Sequence, residues 1–283
     1  MSKLREQMLQ DMDLKGFSEK TKKSYIDHVA RFATYFKKSP EILGDVEIKQ
    51  YLHYLLKEKK LSRSYNAQAY SGLRFLYETT LKMNWEGYKI PRSIKEKKLP
   101  VVMTKEEIRR IFRVTTNLKH LAILMTIYGA GLRVGEAVKL EPKSIDTNRM
   151  QILLQEAKGH KDRYTLLSKK NLEILRQYAN KYRPNRWLFE GANPENHITE
   201  RTVERMFEKA ASKAGITKNV TVHTLRHSFA THLYEDGVDV YYIQKLLGHS
   251  SVKTTTIYIH LSQKNTLRIE SPLESVLADD DNV

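Results

Sequence analysis

The first 84 residues have the hydrophobic spacing of amphipathic helices. Apolar side chains such as Tyr25, Val29 and Phe32 recur three or four positions apart, so they share one helix face. Short polar residues precede successive helical segments as candidate N-caps, namely Ser18, Asp45 and Ser62. Because each segment has one apolar face to bury, the pattern predicts a small helical bundle over residues 1–84.

The pattern changes between Trp85 and Pro100. This stretch contains two prolines and has no amphipathic period. It includes a basic run formed by Lys95, Lys97 and Lys98. A segment without an apolar face cannot pack as a regular element, so we predict an interdomain linker over residues 85–100.

Residues 101–268 are predicted to form a second, mainly helical domain. Thr104 and Glu107 have the spacing of a capping box, which marks a helix start. The predicted helical region then runs into the nearly all-apolar stretch 121–128. Further helices are predicted over residues 168–182, 199–214, 223–235, 239–247 and 251–261.

A β-like pattern interrupts these helices. Residues 150–157 and 163–167 are two short strand-like runs, and the residues between them form the turn of a predicted hairpin. The predicted fold class is therefore mainly α with a small antiparallel β-sheet, arranged in two domains.

The charge balance indicates a polyanionic partner. The chain has 49 Lys and Arg residues against 33 Asp and Glu residues, a formal net charge of +16, which exceeds what solubility needs. Residues 1–100 contain 21 basic and 12 acidic residues, residues 101–269 contain 28 and 16, and residues 270–283 contain none and 5. Both domains therefore suit nucleic acid and the tail does not. The alternative is a basic surface that is only solvated.

Composition excludes several classes of protein. The chain has no cysteine, so disulfides, thiolate catalysis and cysteine-ligated metal sites are excluded, and a metal would need His and carboxylate ligands. No apolar run reaches the roughly 18 residues of a membrane span, and the polar start lacks the pattern of a signal peptide. We expect a cytoplasmic protein with no membrane association.

The segment Gly131 to Glu136 places Arg133 at the start of a helix. A helix N-terminus and a guanidinium together suit a phosphate oxygen. The alternative is a surface ion pair between Arg133 and Glu136, which are three residues apart.

His223 and Arg226 are also three residues apart, so they point in one direction from a helix whose apolar residues face another. His223 and His227 have the i,i+4 spacing of zinc-binding helices, but the glutamate of that motif is missing and Arg226 would repel a cation. For His227 the sequence favours a role in core packing.

His249 follows a helix-ending glycine, and Tyr258 lies nine residues further on. Taken singly, both are ordinary residues. Taken in order with Gly131 to Glu136, the lysine-containing hairpin and His223 to Arg226, they resemble the signature of the tyrosine recombinase (integrase) family. The resemblance covers the whole chain, most strongly residues 104–262.

The resemblance implies a role for each matching position. Arg133 and Arg226 match the two arginines that bind the scissile phosphate, and Tyr258 matches the nucleophile. The other matches are Lys158 for the hairpin lysine, His223 and His249 for the two histidines, and Glu136 for the acidic residue that supports the first arginine. Lys158 would be the general acid, Lys161 a phosphate contact, and His223 the nearest candidate base. Residues 1–84 would be a core-binding domain and residues 101–268 the catalytic domain.

The resemblance also implies partners. We expect double-stranded DNA with an inverted-repeat core site, a homotetramer in the synapse, and neither metal nor cofactor. The basic run of the linker, Lys95, Lys97 and Lys98, would contact DNA. Two alternatives remain open: an architectural DNA-binding protein that has kept only the fold, and a strand-relaxing enzyme similar to type IB topoisomerases.

The tail, residues 269–283, has apolar positions at near-helical spacing within an acidic segment. Such a stripe needs a partner surface. It could fold back on its own domain, but the resemblance implies that it docks on a neighbouring protomer and closes a ring.

Overall fold

The computed structural model describes residues 3–85, 91, 99–157, 161–249 and 251–261, without the side chains of residues 156, 157, 161, 260 and 261. The chain divides into two compact units, Met1–Lys98 and Leu99–Val283. Among the described helices, none has the length and apolarity needed to cross a membrane. The tail, residues 269–283, lies outside the described residues.

The described part of the first unit is helical. Its helices are α1 (Lys3–Leu14), α2 (Glu19–Phe36), α3 (Asp45–Lys57) and α4 (Arg63–Arg74), which continues into a π-helical segment, Phe75–Thr80. Phe32 is fully buried at the centre of the bundle, in edge-on contact with Tyr51 and Tyr77. Trp85, at the start of the predicted linker, is buried in the same core and its Nε1 donates to the Tyr70 hydroxyl at 3.1 Å.

Two of the three predicted caps are confirmed. The Ser18 and Ser62 hydroxyls accept from the backbone N–H groups of Thr21 and Tyr65. The assignment of Asp45 is wrong, because Gly44 is the N-cap of α3 and Asp45 is its first helical residue. Glu47 satisfies the helix start by accepting from the Gly44 backbone N–H at 2.9 Å, and this leaves the Asp45 carboxylate to pair with Lys49.

The second unit contains the longer series of helices. They are α5 (Lys105–Val114), α6 (Leu118–Ala130), α7 (Val134–Val138), α8 (Lys169–Tyr182), α9 (Glu200–Lys213), α10 (Val222–Glu235), α11 (Val240–Leu247), α12 (Val252–Thr255) and α13 (Ile257–Leu261). The apolar stretch 121–128 lies in α6, which is buried in the main core. The capping box is confirmed at the start of α5, where Thr104 and Glu107 bond each other's backbone N–H groups.

The sheet has three antiparallel strands, β1 (Ile145–Asp146), β2 (Gln151–Ala157) and β3 (Lys161–Leu166), in that order. The hairpin prediction is confirmed for β2 and β3 with two corrections. Met150 has a left-handed φ of 53° and so belongs to the turn, and β3 begins at Lys161 instead of Arg163. The two-residue β1 is too short to show alternation in the sequence. The predicted fold class is confirmed.

The predicted helix 251–261 is broken. It forms α12 and α13, which are separated at Thr256. The Thr256 hydroxyl donates to the Lys253 carbonyl at 3.1 Å, and a side chain that competes in this way for a helical carbonyl favours a break. Tyr258 therefore lies in the first turn of the separate helix α13.

Candidate active site

Arg133 is placed by the sharp end of helix α6. Gly131 ends that helix in the left-handed conformation, with φ +62°, and a Cβ there would overlap the ring of Phe229. Glycine meets both constraints. Two residues later Arg133 is the N-cap of α7, where its backbone N–H donates to Glu136 Oε2 at 2.8 Å and its Nη1 donates to Oε1 at 2.6 Å. The predicted pair of Arg133 and Glu136 is thus a half-buried contact.

Glu136 binds more than one arginine. Arg163 on β3 donates from both terminal nitrogens to the two Glu136 oxygens, at 2.9 and 2.8 Å. Burial alone would raise the pKa of Glu136, but the hydrogen bonds and charge of Arg163, the Arg133 N–H and the charge of Arg226 outweigh it and lower the pKa to about 2. Glu136 is therefore a permanent anion that holds guanidiniums in place.

Arg163 was missed by the sequence analysis. Its side chain is only 9% exposed, and its Nε also donates to the Leu246 carbonyl at 3.0 Å, at the end of α11. In the sequence it has only the appearance of a strand residue. Alternate residues of a strand share one face, so Arg163 lies on the same face as Thr165, which is buried. This periodicity is the one signal that could have suggested an inward-facing arginine.

Arg226 is the most deeply buried charge of the site, with a relative exposure of 1%. Its Nη1 donates to the Gly131 carbonyl and its Nη2 to the Leu247 carbonyl, both at 2.7 Å. Burial, followed by the charge of Arg133, lowers the pKa of Arg226 to about 10, so it remains charged at neutral pH. The carbonyls at the ends of α6 and α11 thus fix its guanidinium.

His249 lies directly beyond α11 and is held on both ring nitrogens. Nε2 is 3.2 Å from Arg226 Nη2, and Nδ1 is 2.9 Å from the Thr255 hydroxyl. Arginine can only donate, so Nε2 accepts and the Nδ1–H of the neutral ring donates to Thr255. Burial and the nearby charges of Arg226, Arg133 and Arg163 lower the pKa of His249 to about 4. The ring is neutral at physiological pH.

Tyr258 packs directly against this group. Its ring is nearly parallel to that of His249, with an interplanar angle of 13° and centroids 6.4 Å apart. The side chain is 2% exposed, and its hydroxyl lies 3.2 Å from Nδ1 of His227. His227, which the sequence analysis left outside the site, is therefore in contact with the candidate nucleophile.

His223 occupies the open side of the site. It lines a surface cleft together with Arg133, Glu136 and Glu200, and its ring contacts His227 edge-on with centroids 4.6 Å apart. Although the ring keeps an exposed edge, the protein around it reduces its solvation, and this, with the charges of Arg226 and Arg133, lowers the pKa of His223. Within the described residues no group of three or more His, Asp or Glu side chains is arranged to hold a metal ion.

The remaining predicted site residues cannot be placed. Lys158 lies outside the described residues, as do the linker lysines Lys95, Lys97 and Lys98. Lys161 begins β3, but its side chain is not described. The structure thus brings together Arg133, Glu136, His223, Arg226, His249 and Tyr258.

This cluster lies in a helical unit with a three-stranded sheet, and the comparisons with known proteins assign the unit to a class of DNA strand-breaking and rejoining enzymes. The chain matches the phage integrase family over residues 101–265 and the N-terminal SAM-like domain of phage integrases over residues 4–87. It therefore belongs to the phage integrase family, the tyrosine recombinases, whose members are enzymes that cut and rejoin DNA. The resemblance found in the sequence is confirmed.

Its relatives include an integrase/recombinase of Sinorhizobium fredii, 42% identical over 275 residues that cover 97% of this chain and 89% of the relative. The tyrosine recombinase XerA of Pyrococcus horikoshii is 32% identical, over 84% of this chain and 90% of its own. The fold is also similar to that of a lambda integrase dimer bound to a core site, with a TM-score of 0.74, 19% identity and coverage of 92% of this chain and 96% of the other.

Proposed function

We propose that this enzyme is a site-specific recombinase that cleaves each DNA strand through a 3′-phosphotyrosine bond to Tyr258. The observation that supports this most is a continuous contact from nucleophile to phosphate binder. The Tyr258 ring stacks on His249, and His249 is bonded to the buried guanidinium of Arg226. A chain that had kept only the fold would not need these contacts.

Arg133 and Arg226 would bind the non-bridging oxygens of the scissile phosphate. Negative charge grows on these oxygens as the phosphorus is attacked, and fixed guanidiniums stabilise it without reorganisation. Each such donor contributes roughly 3–4 kcal/mol to lowering the barrier in comparable sites. His223, which lines the cleft with Arg133, would bond the same phosphate, and His249, whose Nε2 accepts from Arg226, would hold that guanidinium in place.

The reaction exchanges one ester for another. The Tyr258 oxygen forms a bond to phosphorus while the bond from phosphorus to the 5′ oxygen breaks. The phenolic proton passes to His223, and the leaving 5′ oxygen takes a proton from Lys158, a role that rests on the family resemblance. Because the phosphotyrosine conserves the energy of the broken ester, a second 5′ hydroxyl can reseal the strand without a metal or cofactor.

DNA binding would involve both units. A shallow cleft on the first unit, between α2 and α4, is lined by Lys20, Lys23, Arg31 and Gln68 among others, and this basic face supports a role for residues 1–84 as the core-binding domain. Lys161 and the linker lysines would add phosphate contacts. We propose an inverted-repeat core site bound by a homotetramer in the synapse, in the cytoplasm.

The first test is the substitution Tyr258→Phe, which removes only the attacking oxygen. Genomic fragments trapped covalently by the wild-type chain are sequenced to give the target site, and a nicked duplex of that site is the substrate. We expect Y258F to form no covalent adduct while its DNA affinity stays within about twofold of wild type, since the arginines are unchanged.

Tyr241→Phe is the matched control, because Tyr241 is an exposed tyrosine outside the cluster, and it should form adduct at the wild-type rate. Adduct formation by Y258F would exclude Tyr258 as the nucleophile. Cleavage should also continue in excess chelator, and its loss there would instead support a metal bound by His223 and His227.

A further inference from the structure

The hydroxyl of Tyr258 is not available to a phosphate in this structure. The side chain is 2% exposed, and the hydroxyl lies 3.2 Å from His227 Nδ1. A nucleophile has to reach van der Waals contact with phosphorus before it attacks. The phenol must therefore leave this position before the reaction can begin.

The neighbouring groups are also bonded to one another. The Tyr258 ring lies beside two imidazoles, the nearly parallel ring of His249 and the ring of His227, whose centroid is 5.8 Å away. The two terminal nitrogens of Arg226 contact Gly131, Leu247, His249 and Glu136. The hydrogen-bonding groups of Arg226 are thus already engaged by contacts within the protein.

The contact between Tyr258 and His227 could assist attack or prevent it, and the proton affinities decide between these. Burial and the proximity of His223 and Arg226 lower the pKa of His227 to about 4. Burial raises the pKa of Tyr258 above its ordinary value, and the charges of Arg226 and Arg133 only reduce that rise. A phenol does not give its proton to so weak a base, because the pKa of the phenol lies far above that of the imidazole. The neutral imidazole shares the hydrogen bond with the phenol and leaves the phenolic proton in place.

We propose, building on the recombinase function above, that His227 is a positioning residue whose hydrogen bond holds the Tyr258 phenol withdrawn from the phosphate site. The bond must break before the nucleophile can attack. The edge-on contact of the His223 and His227 rings places the holding residue next to a group at the open cleft. A phosphate bound at that cleft would therefore contact His223, the residue that lies against His227.

The test compares two substitutions at one position. His227→Phe keeps an aromatic ring but removes the hydrogen-bonding nitrogen. The phenol would then be buried without a partner in its withdrawn position, and the release of Tyr258 becomes easier by roughly tenfold. His227→Asn keeps an acceptor near the position of Nδ1. We expect H227F to form covalent adduct on the nicked duplex about tenfold faster than wild type, and H227N to return the rate toward the wild-type value.

His232→Phe is the matched control. His232 lies on α10, as His227 does, and its Nδ1 is 2.9 Å from the hydroxyl of Tyr128, which makes a second His–Tyr pair. H232F should leave the adduct rate unchanged if the effect belongs to Tyr258. An unchanged or slower rate in H227F would overturn the proposal. Absence of adduct in all chains, wild type included, would instead show that the recombinase function is wrong.

A second measurement does not depend on the folding of H227F. Tyrosine labelled with ¹³C at Cζ is introduced into the wild-type chain, and the Tyr258 signal is identified by its absence from Y258F. Without DNA, the pKa of a withdrawn phenol should lie above the pKa values of exposed tyrosines. Its ¹³C signal should shift when the target duplex binds. A Tyr258 that titrates as an exposed tyrosine without DNA would contradict the proposal.

Discussion

At the scale of single residues, one carboxylate organises the site. Glu136 accepts from Arg133 and Arg163 and lies 3.6 Å from Arg226. Arg163 supplies both of its terminal nitrogens and uses its Nε for the Leu246 carbonyl, so it joins the start of α7 to the end of α11. A planar five-donor group can make all three bonds at once, and an ammonium cannot.

Arg163→Lys should therefore lower the free energy of unfolding by about 2–3 kcal/mol, since lysine keeps one of three charge-assisted contacts. Depression of the Glu136 pKa to about 2 gives stability that is fully present above about pH 4.5 and is lost as the pH falls toward 2. The difference between the two proteins should accordingly shrink over that range. Urea unfolding at several pH values measures it.

Arg201→Lys provides the comparison. Arg201 is 59% exposed and pairs with Glu204 on the surface of α9, so its replacement should change the free energy of unfolding by less than about 0.5 kcal/mol. Equal effects of R163K and R201K would mean that Arg163 contributes no more than a surface ion pair.

At the scale of elements, the site depends on how α11 ends. Gly248 closes this helix with φ +62°, and a Cβ at this position would lie 2.7 Å from Cδ of Arg163. The last carbonyls of the helix, from Leu246 and Leu247, accept from Arg163 and Arg226. Cations favour a helix C-terminus, so the end of α11 stabilises the same guanidiniums that hold Glu136.

Gly248→Ala should thus lower the free energy of unfolding for two reasons. Alanine is strained in the left-handed backbone conformation, and its Cβ would displace Arg163. Gly215 has a similar φ of +67° with nothing within 4 Å of a Cβ, so only the first reason applies to Gly215→Ala. We expect G215A to lose about 1–2 kcal/mol of unfolding free energy and G248A to lose about 1–3 kcal/mol more. Only G248A should also slow covalent adduct formation. Similar losses in both variants would show that Arg163 moves aside without cost.

At the scale of the whole molecule, the charges of the tail and the rest of the chain are opposite. Residues 270–283 contain five acidic and no basic residues, whereas the chain as a whole has a charge of +16. An acidic segment is repelled by DNA and attracted to a basic protein surface. We therefore retain the proposal that the tail docks on a neighbouring protomer and couples the Tyr258 position in one subunit to the next.

A chain that ends at Gln263 should remain folded and bind a single core site, but it should not assemble the four-subunit synapse and should recombine poorly. Gel-shift analysis and a recombination assay measure the two properties. In a full-length chain, the five acidic tail residues can be changed to amides. The recombination activity of this variant should lie between that of the shortened chain and that of wild type, since only the charge is lost. Normal recombination by the shortened chain would show that the tail only covers its own domain.

The sequence by itself determined the helix starts at Ser18, Ser62 and Thr104, the presence of the hairpin and the order of the site residues. Ser18, Ser62 and Thr104 bond backbone groups three residues away, and such contacts depend on local spacing alone. The pairing of Arg133 with Glu136 is equally local. The order of the motifs along the chain was sufficient to identify the family.

Only the tertiary structure decided which distant groups meet. Arg163 and Glu136 are 27 residues apart and His227 and Tyr258 are 31 apart, and no periodicity relates either pair. Their contacts exist because β3 packs on α11, and α10 packs on both α11 and α13. Burial there removes the water that would otherwise separate the charges. The state of the nucleophile depends on this packing, because long-range contacts and desolvation arise from the assembled core and not from neighbouring residues.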